Sequence, residues 1–99
     1  MDEEKTVVVF RKYPDGEVIA LFPEIPHDDR GLLCSSYMRI GQHGAASCPA
    51  VSQETEPALP AEYSSLKKEL EHIGYKLEVR ERITTAMRKI RMREARSGA

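Results

Sequence analysis

The chain has 99 residues, which is enough for one domain with a single modest core and excludes a two-domain enzyme. Apolar residues make up 40% and charged residues 31%, and the formal net charge of -1 predicts no bulk attraction to nucleic acid or anionic membranes. The charge is unevenly distributed, because residues 1–87 carry 10 Lys and Arg against 15 Asp and Glu, whereas residues 88–99 carry 5 against 1. The last dozen residues are therefore a distinct basic segment.

The N-terminus, Met1–Lys5, is acidic and lacks the basic and long apolar regions of a secretory signal. No apolar run approaches the length of a membrane span, so we expect a cytoplasmic protein and no membrane partner. Cys34 and Cys48 are too few for a disulfide scaffold, and in a reducing cytosol they are expected to be free thiols.

The first predicted element is a β-hairpin. Thr6–Tyr13 and Glu17–Phe22 are rich in Val, Ile and Phe, and Pro14-Asp15-Gly16 between them is a typical turn sequence. Apolar residues alternate onto both faces of the hairpin, so both faces require a cover. The following segment, Pro23–Gly31, contains two prolines and is predicted to be a surface loop, including its His27-Asp28-Asp29.

A third strand is predicted from Leu32 to Ile40. Its alternation places one set of residues on the core face and another on an amphipathic face: Leu32, Cys34, Ser36, Met38 and Ile40 on the first, and Leu33, Ser35, Tyr37 and Arg39 on the second. Gly41-Gln42-His43-Gly44 is expected to end the strand, and Ala45–Ser47 is predicted to form a short helical turn.

The segment Cys48–Leu59 is predicted to be a surface connection, with a short edge strand near Val51 as the alternative. A helix is then predicted from Pro60, because Tyr63, Leu66, Leu70 and Ile73 follow at offsets 0, 3, 7 and 10, and Gly74 is placed to end it. Tyr75, Leu77 and Val79 alternate with charged residues, which predicts a strand near the sheet edge.

The predicted fold class is α+β, with a small mixed sheet in the order strand-strand-strand-helix-strand and one helix packed on one sheet face. A right-handed connection through the helix places the fourth strand parallel to the first, in the spatial order 4-1-2-3. Residues 1–83 are predicted to form the single α+β domain, and residues 84–99 a basic C-terminal tail that is either helical or disordered.

A single helix covers only one face of such a sheet. The opposite apolar face requires the segment 42–59, a C-terminal helix or another chain as its cover. The last of these alternatives predicts a homodimer or a docked protein partner.

Gly41, Gln42, His43 and Gly44 are the candidate residues for binding an anion or small ligand through converging backbone amides. The segment lacks the Lys-Ser/Thr of a P-loop and the G-x-G-x-x-G of a dinucleotide site, so a tight turn is favoured. Tyr37, Arg39 and His43 form the candidate partner surface.

Metal binding by Cys34, His43 and Cys48 is disfavoured, because their separations of 9 and 5 residues differ from paired metal-ligand spacings. A Cys34-His43 nucleophile pair is disfavoured as well, because the alternation places Cys34 in the apolar core. We therefore expect no catalytic residues, no metal and no cofactor.

The basic segment carries the candidate nucleic-acid residues, Arg88, Lys89, Arg91, Arg93 and Arg96. No aromatic residue lies among them to stack on bases, and no recognition-helix motif accompanies them. A solvated terminal segment, capable of a generic electrostatic contact, is favoured over sequence-specific binding.

The strings Val7–Glu24, Ser36-Tyr37, Gly41–Ala46, Pro60–Tyr63 and Ile73–Tyr75 carry a resemblance to a known group. Over roughly residues 6–83 the chain resembles a group of small uncharacterised bacterial proteins associated with accessory genes. That resemblance implies a bacterial, cytosolic origin and no established activity.

The expected function is a non-enzymatic module that binds a protein partner or its own copy. The alternatives are a nucleic-acid-associated protein that uses the basic C-terminal arm, and an anion or small-ligand site at Gly41–Ala46.

Overall fold

The structure is a computed structural model that describes residues 5–39 and 41–97. Its elements in chain order are β1 (Thr6–Lys12), β2 (Val18–Pro26), β3 (Cys34–Tyr37), β4 (His43–Ala46), α1 (Cys48–Glu54), β5 (Glu56–Pro57), α2 (Pro60–Ile73), β6 (Leu77–Arg80) and α3 (Thr85–Ser97). The α+β class is confirmed.

The strands form one mixed sheet. Its order is β4-β3-β2-β1, and on the far side of β1 both β6 and the short β5 pair with it. Strand β6 runs parallel to the first half of β1, with Val8 opposite Val79. The other pairs, including β5 with Arg11 and Lys12, are antiparallel. The predicted placement of the last strand beside the first is confirmed.

Helix α2 covers one face of the sheet. Val8, Phe10, Ala20 and Phe22 alternate onto that face and pack against Leu66 and Leu70 of the helix. Phe10 stacks on Tyr63, with ring centroids 4.4 Å apart. The helix ends at Gly74, whose φ of 127° lies in the region that favours glycine, as the sequence predicts.

Helices α1 and α3 cover the opposite face. Ile19, Leu21, Cys34 and Ala46 form a second cluster with Cys48 and Val51 of α1, and α3 packs along β2. Both sheet faces are thus covered within one chain. The apolar face that suggested a homodimer is filled by two of the three predicted alternatives, the segment 42–59 and the C-terminal helix.

Segment 85–97 packs as part of the domain. Met87, Arg91 and Ala95 recur at intervals of four residues on one side of α3 and are all buried. A Cβ atom on Gly31 would lie 2.9 Å from the Cα of Met92, so the loop before β3 approaches the helix closely. The basic segment therefore extends the domain past residue 83.

Four segments differ from their predicted structure. Residues 23–26 belong to strand β2 and not to the predicted surface loop, because β2 pairs with β3 as far as Pro26. Residues 45 and 46 belong to strand β4 and not to a helical turn, because β3 and β4 form a hairpin in which Cys34 lies opposite Ala46. The predicted surface connection 48–59 contains α1, whose carboxyl end accepts hydrogen bonds from the Arg11 guanidinium at the carbonyls of Ser52 and Thr55, 3.1 and 2.8 Å away. Strand β3 is also shorter than predicted, and Ile40 lies outside the described residues.

Candidate functional site

The predicted anion site lies in the turn between β3 and β4, and its amides bind within the chain. The N–H of Gly41 donates to the Tyr37 hydroxyl at 2.9 Å, that of Gln42 to the Arg39 carbonyl at 3.1 Å, and that of His43 to the Gly41 carbonyl at 3.0 Å. Gly44 is already part of β4. Because three successive N–H groups have internal acceptors, the segment is a tight turn and presents no nest of amides to an anion.

Tyr37 does not belong to an exposed partner surface, because only 1% of it is exposed. Its ring packs in the cluster under α2, and its hydroxyl donates to the Glu69 carboxylate on that helix. The hydrogen bond to Glu69 raises the pKa of Tyr37. Tyr37 therefore ties β3 and the turn to α2.

His43 is exposed and lies at the first position of β4. Its ring contacts the edge of Tyr37 at a centroid distance of 4.6 Å, and its Nε2 lies 3.3 Å from the Tyr75 hydroxyl. Arg39, the third residue of the predicted surface, is exposed and forms an ion pair of 3.2 Å with Glu17. Of the three residues, His43 and Arg39 are accessible to a partner.

Strand β4 forms one edge of the sheet. Within residues 5–39 and 41–97, it pairs with β3 alone. The N–H of Met38 donates to the carbonyl of Gln42 at 3.1 Å. Because hydrogen-bonded pairs alternate along an antiparallel ladder, the backbone N–H and C=O groups of Gly44 and Ala46 then point toward β3, and those of Ala45 point away from the sheet. The strand, His-Gly-Ala-Ala, has no Lys, Arg, Asp, Glu or Pro, the residues that usually protect an exposed edge.

The basic residues of α3 divide into two groups. Arg91 is only 3% exposed, and its guanidinium donates to the carbonyls of Gly31 at 2.8 Å and Pro23 at 2.9 Å, so it is not available to a phosphate backbone. Lys89, Arg93 and Arg96 are exposed at offsets of 4 and 7 residues on one side of the helix, and we call them the α3 stripe. Arg88 is exposed as well and lies beside α1.

The structure brings the two cysteines together, which the sequence analysis missed. Cys34 of β3 and Cys48, the first residue of α1, are both buried, with their Sγ atoms 3.1 Å apart. Nη1 of Arg91 lies 3.6 Å from the Cys48 Sγ. Cys34, Cys48 and Arg91 are called the thiol centre below.

A signal for this pairing exists in the sequence, since Cys34 and Cys48 each lie seven residues from Gly41. The hairpin of β3 and β4 pairs Cys34 with Ala46, and Cys48 follows two residues later at the start of α1. His43 lies on the α2 face with Tyr37, whereas Cys34 lies on the face covered by α1 and α3, so the two do not form a nucleophile pair.

The two thiols differ in their electrostatic surroundings. The hydrogen bond from Cys34 and the positive charge of Arg91 lower the pKa of Cys48 to about 7, although burial acts in the opposite direction. The hydrogen bond to Cys48 and burial raise the pKa of Cys34 well above its ordinary value. The two directions make Cys48 the more acidic of the two thiols.

A cleft of about 460 Å³ opens beside Cys48, between α1 and the start of α3. It is lined by apolar, hydroxyl and cationic side chains, which are Leu32, Ser47, Cys48, Pro49, Ser52, Ile83, Thr84, Thr85, Arg88 and Arg91. Among the described residues, no Asp or Glu lines this cleft, so its polar character is cationic. We call it the thiol cleft.

Two other observations limit the chemistry of the described residues. They contain no group of three or more His, Cys, Asp or Glu side chains that is arranged to hold a metal ion. None of the helices described is long and apolar enough to cross a membrane. In the loop before β3, Asp28 accepts a hydrogen bond from the N–H of Leu33 at 2.9 Å, which lowers the pKa of Asp28 and gives this carboxylate a structural role.

Comparison of the chain with protein-family models, with curated proteins and with solved structures finds no significant match.

Proposed function

We propose that this chain is a cytosolic bacterial module that binds a second copy of itself through the open edge of β4. The observation that carries the proposal is the edge itself, which has outward-facing backbone groups and no protecting charge or proline. Pairing of exposed strand edges is a common mode of protein recognition.

The opposite edge of the sheet differs from β4 in carrying charged side chains, which supports β4 as the edge that pairs with a second copy. The four residues of β6 include Glu78 and Arg80, which form an ion pair with each other at that edge. Charged side chains on an edge strand discourage pairing with another chain. Among the strands of residues 5–39 and 41–97, β4 alone combines an edge position with small, uncharged residues.

The register of β4 suits pairing between identical copies. In an antiparallel pair centred on Gly44, Ala45 of one copy lies opposite His43 of the other. The outward N–H of Ala45 then donates to the carbonyl of His43 in the second copy, and the two-fold axis repeats the bond. His43 is the one residue of the predicted partner surface that takes part.

The test is the Ala45→Pro variant. Because the Ala45 N–H points away from β3, proline removes a donor needed for the dimer and leaves the hydrogen bonds within the hairpin intact. Ala45 is exposed, so the matched control is Ala45→Ser, which keeps the N–H.

Light scattering is measured over a concentration series under reducing conditions, because a four-residue edge predicts a weak dimer. We expect dimer from the original chain and from Ala45→Ser, and monomer from Ala45→Pro with an unchanged circular dichroism spectrum. A monomer at every concentration would contradict the proposal, and so would an Ala45→Pro variant that dimerises as the original chain does.

The α3 stripe supports nucleic-acid association as the second candidate function. Lys89, Arg93 and Arg96 line a shallow groove on the outer side of α3, in the arrangement that a helix offers to a phosphate backbone. The contact is electrostatic, because no aromatic residue lies in α3.

Fluorescence anisotropy with a labelled DNA duplex at several salt concentrations tests this second candidate. Replacing the three stripe residues with Gln should lower the slope of log affinity against log salt by about 1 for each lost phosphate contact. The control is Arg80→Gln, which removes one exposed cation from the far edge of the sheet. An equal effect of the control, or a slope that the triple variant does not change, would exclude a role for the stripe.

A further inference from the structure

The Sγ atoms of Cys34 and Cys48 are already near bonding distance. They lie 3.1 Å apart, and a disulfide requires an approach of about 1 Å more. Cys34 is on a sheet strand and Cys48 is on the first turn of the helix packed over it, so a small shift of α1 is sufficient. The pair is therefore positioned to become an intramolecular disulfide.

The charge of Arg91 selects one of the two sulfurs as the nucleophile. In the part of the chain that the structure describes, the partners of its guanidinium are two neutral carbonyls and the Cys48 sulfur, and no carboxylate forms an ion pair with it. A buried cation is costly without a counter-ion. A thiolate at Cys48 supplies that counter-ion, and as a thiolate it can only accept the hydrogen bond between the two sulfurs.

The thiol cleft gives a small molecule a route to Cys48. Its volume of about 460 Å³ lies within the range of about 300 to 1,000 Å³ that ligand sites occupy. Arg88 and Arg91 line it together with four hydroxyl side chains and no carboxylate. Such a lining fits a small molecule that carries a negative charge.

We propose that the thiol centre is a thiol–disulfide exchange site whose substrate is a small anionic disulfide bound in the thiol cleft. Cys48 is the attacking residue, Cys34 is the resolving residue, and Arg88 binds a negative group of the substrate at the mouth of the cleft. This activity is independent of dimer formation through β4.

The exchange takes place in two steps. In the first, the Cys48 thiolate attacks one sulfur of the substrate R–S–S–R, a Cys48–S–S–R bond forms, and R–S⁻ leaves. In the second, the sulfur of Cys34 attacks the Cys48 Sγ, the bond to the second R–S group breaks, and the departing thiolate takes the proton of Cys34. The protein's thiolate and thiol together lose two electrons and one proton, and the substrate is reduced to one thiolate and one thiol.

The experiment treats the reduced full chain with one equivalent of dithiobis(nitrobenzoate), a disulfide that carries two carboxylates and releases a coloured thiolate. We expect two coloured thiolates per chain and a protein mass lower by two hydrogen atoms with no adduct. Cys34→Ser should release one thiolate and retain one adduct on Cys48. Cys48→Ser should react at least tenfold more slowly, because Cys34 is buried and does not line the thiol cleft.

Neutral dithiodipyridine tests the charge of the cleft. Arg88 is exposed and lies outside the thiol centre, so Arg88→Gln should slow the reaction with the anionic reagent severalfold and leave the neutral reagent unaffected. Arg93→Gln, on the outer side of the same helix, is the matched control.

The mass of the oxidised original chain decides the proposal even if a cysteine variant fails to fold. Two separate adducts, first reaction at Cys34, or no reaction until denaturant is added would each overturn it. Equal rates of the Arg88→Gln and Arg93→Gln variants with the anionic reagent would overturn the assignment of an anionic substrate.

Discussion

Arg91 offers the sharpest test of how α3 is attached to the sheet. It is 3% exposed, and its guanidinium binds the carbonyls of Pro23 and Gly31 at 2.9 and 2.8 Å. The Pro23 carbonyl belongs to β2, and the Gly31 carbonyl belongs to the segment that links β2 to β3. Replacing Arg91 with Met keeps the aliphatic packing and removes every donor.

The expected loss follows from these two hydrogen bonds. A hydrogen bond to a charged group contributes about 1.5 to 3 kcal/mol, and Met leaves both carbonyl oxygens without that donor. Part of this is recovered, because the variant no longer buries a positive charge. The net effect on the free energy of unfolding should be a loss of about 2 to 4 kcal/mol, a large fraction of the stability of a small domain.

Urea unfolding followed by circular dichroism measures this loss. Arg91→Lys should fall between the original chain and Arg91→Met, because one ammonium group cannot reproduce the fork of the guanidinium. Arg93→Met, on the exposed side of α3, should change the free energy of unfolding by less than about 0.5 kcal/mol. Equal midpoints for Arg91→Met and Arg93→Met would refute the role assigned to the buried guanidinium.

Three further predictions concern packing and charge. Gly31→Ala should lower the unfolding midpoint more than Gly16→Ala. Both glycines have positive φ, but of the two only Gly31 would place a new Cβ atom within 3 Å of another backbone atom. Equal losses would mean that backbone strain alone destabilises both variants. Deleting residues 83–99 should abolish the cooperative thermal transition, because it uncovers the face packed by α3; a retained transition near the original midpoint would mean that α3 is dispensable. The hydrogen bond from Lys12 lowers the pKa of Glu62, so the stability this gives is complete above the ordinary value of 4.5 and is lost as pH falls through the lowered pKa. Glu62→Gln should therefore make the midpoint less sensitive to acid, and an unchanged acid profile would contradict this.

The elements that the sequence predicts correctly are those with strong local patterns. The stripe of Leu66 and Leu70 with Gly74 behind it defines α2, and the runs of Val and Ile around Pro14-Asp15-Gly16 define the first hairpin. Handedness of the connection then places β6 beside β1. In each case the pattern of burial repeats at the period of the element that forms.

The missed elements depend on contacts between distant residues. His-Gly-Ala-Ala has little intrinsic preference for a strand, and it becomes β4 because β3 pairs with it and Ala46 is buried. Helix α1 spans only seven residues, too short for a periodic stripe, and it is held in place by Arg11 from β1. Neither the β3–β4 pairing nor the contact of Arg11 with α1 can be predicted from local composition.

Arg91 shows the same limit for the candidate sites. In the sequence it is one of five basic residues in the last dozen, and nothing local separates it from Arg88 or Arg93. Its position four residues from both Met87 and Ala95 places it on the buried side of α3, where a carbonyl of β2 and a carbonyl of the loop after β2 accept its hydrogen bonds. A charge that suggested a solvated tail is thus part of the core and of the thiol centre.

The coverage of both sheet faces restricts where this domain can act. With α2 on one face and α1 and α3 on the other, a partner strand has access to the sheet only at an edge, and a small molecule has access to the interior only where helices leave a gap. Strand β4 supplies the uncharged edge, and the thiol cleft supplies a gap that ends at a nucleophile. Cys34 lies opposite Ala46 in the ladder, so the thiol centre and the open edge share the β3–β4 hairpin. The Ala45→Pro variant nevertheless keeps both thiols, and the Cys48→Ser variant keeps the backbone of the open edge. Each proposal can therefore fail without the other.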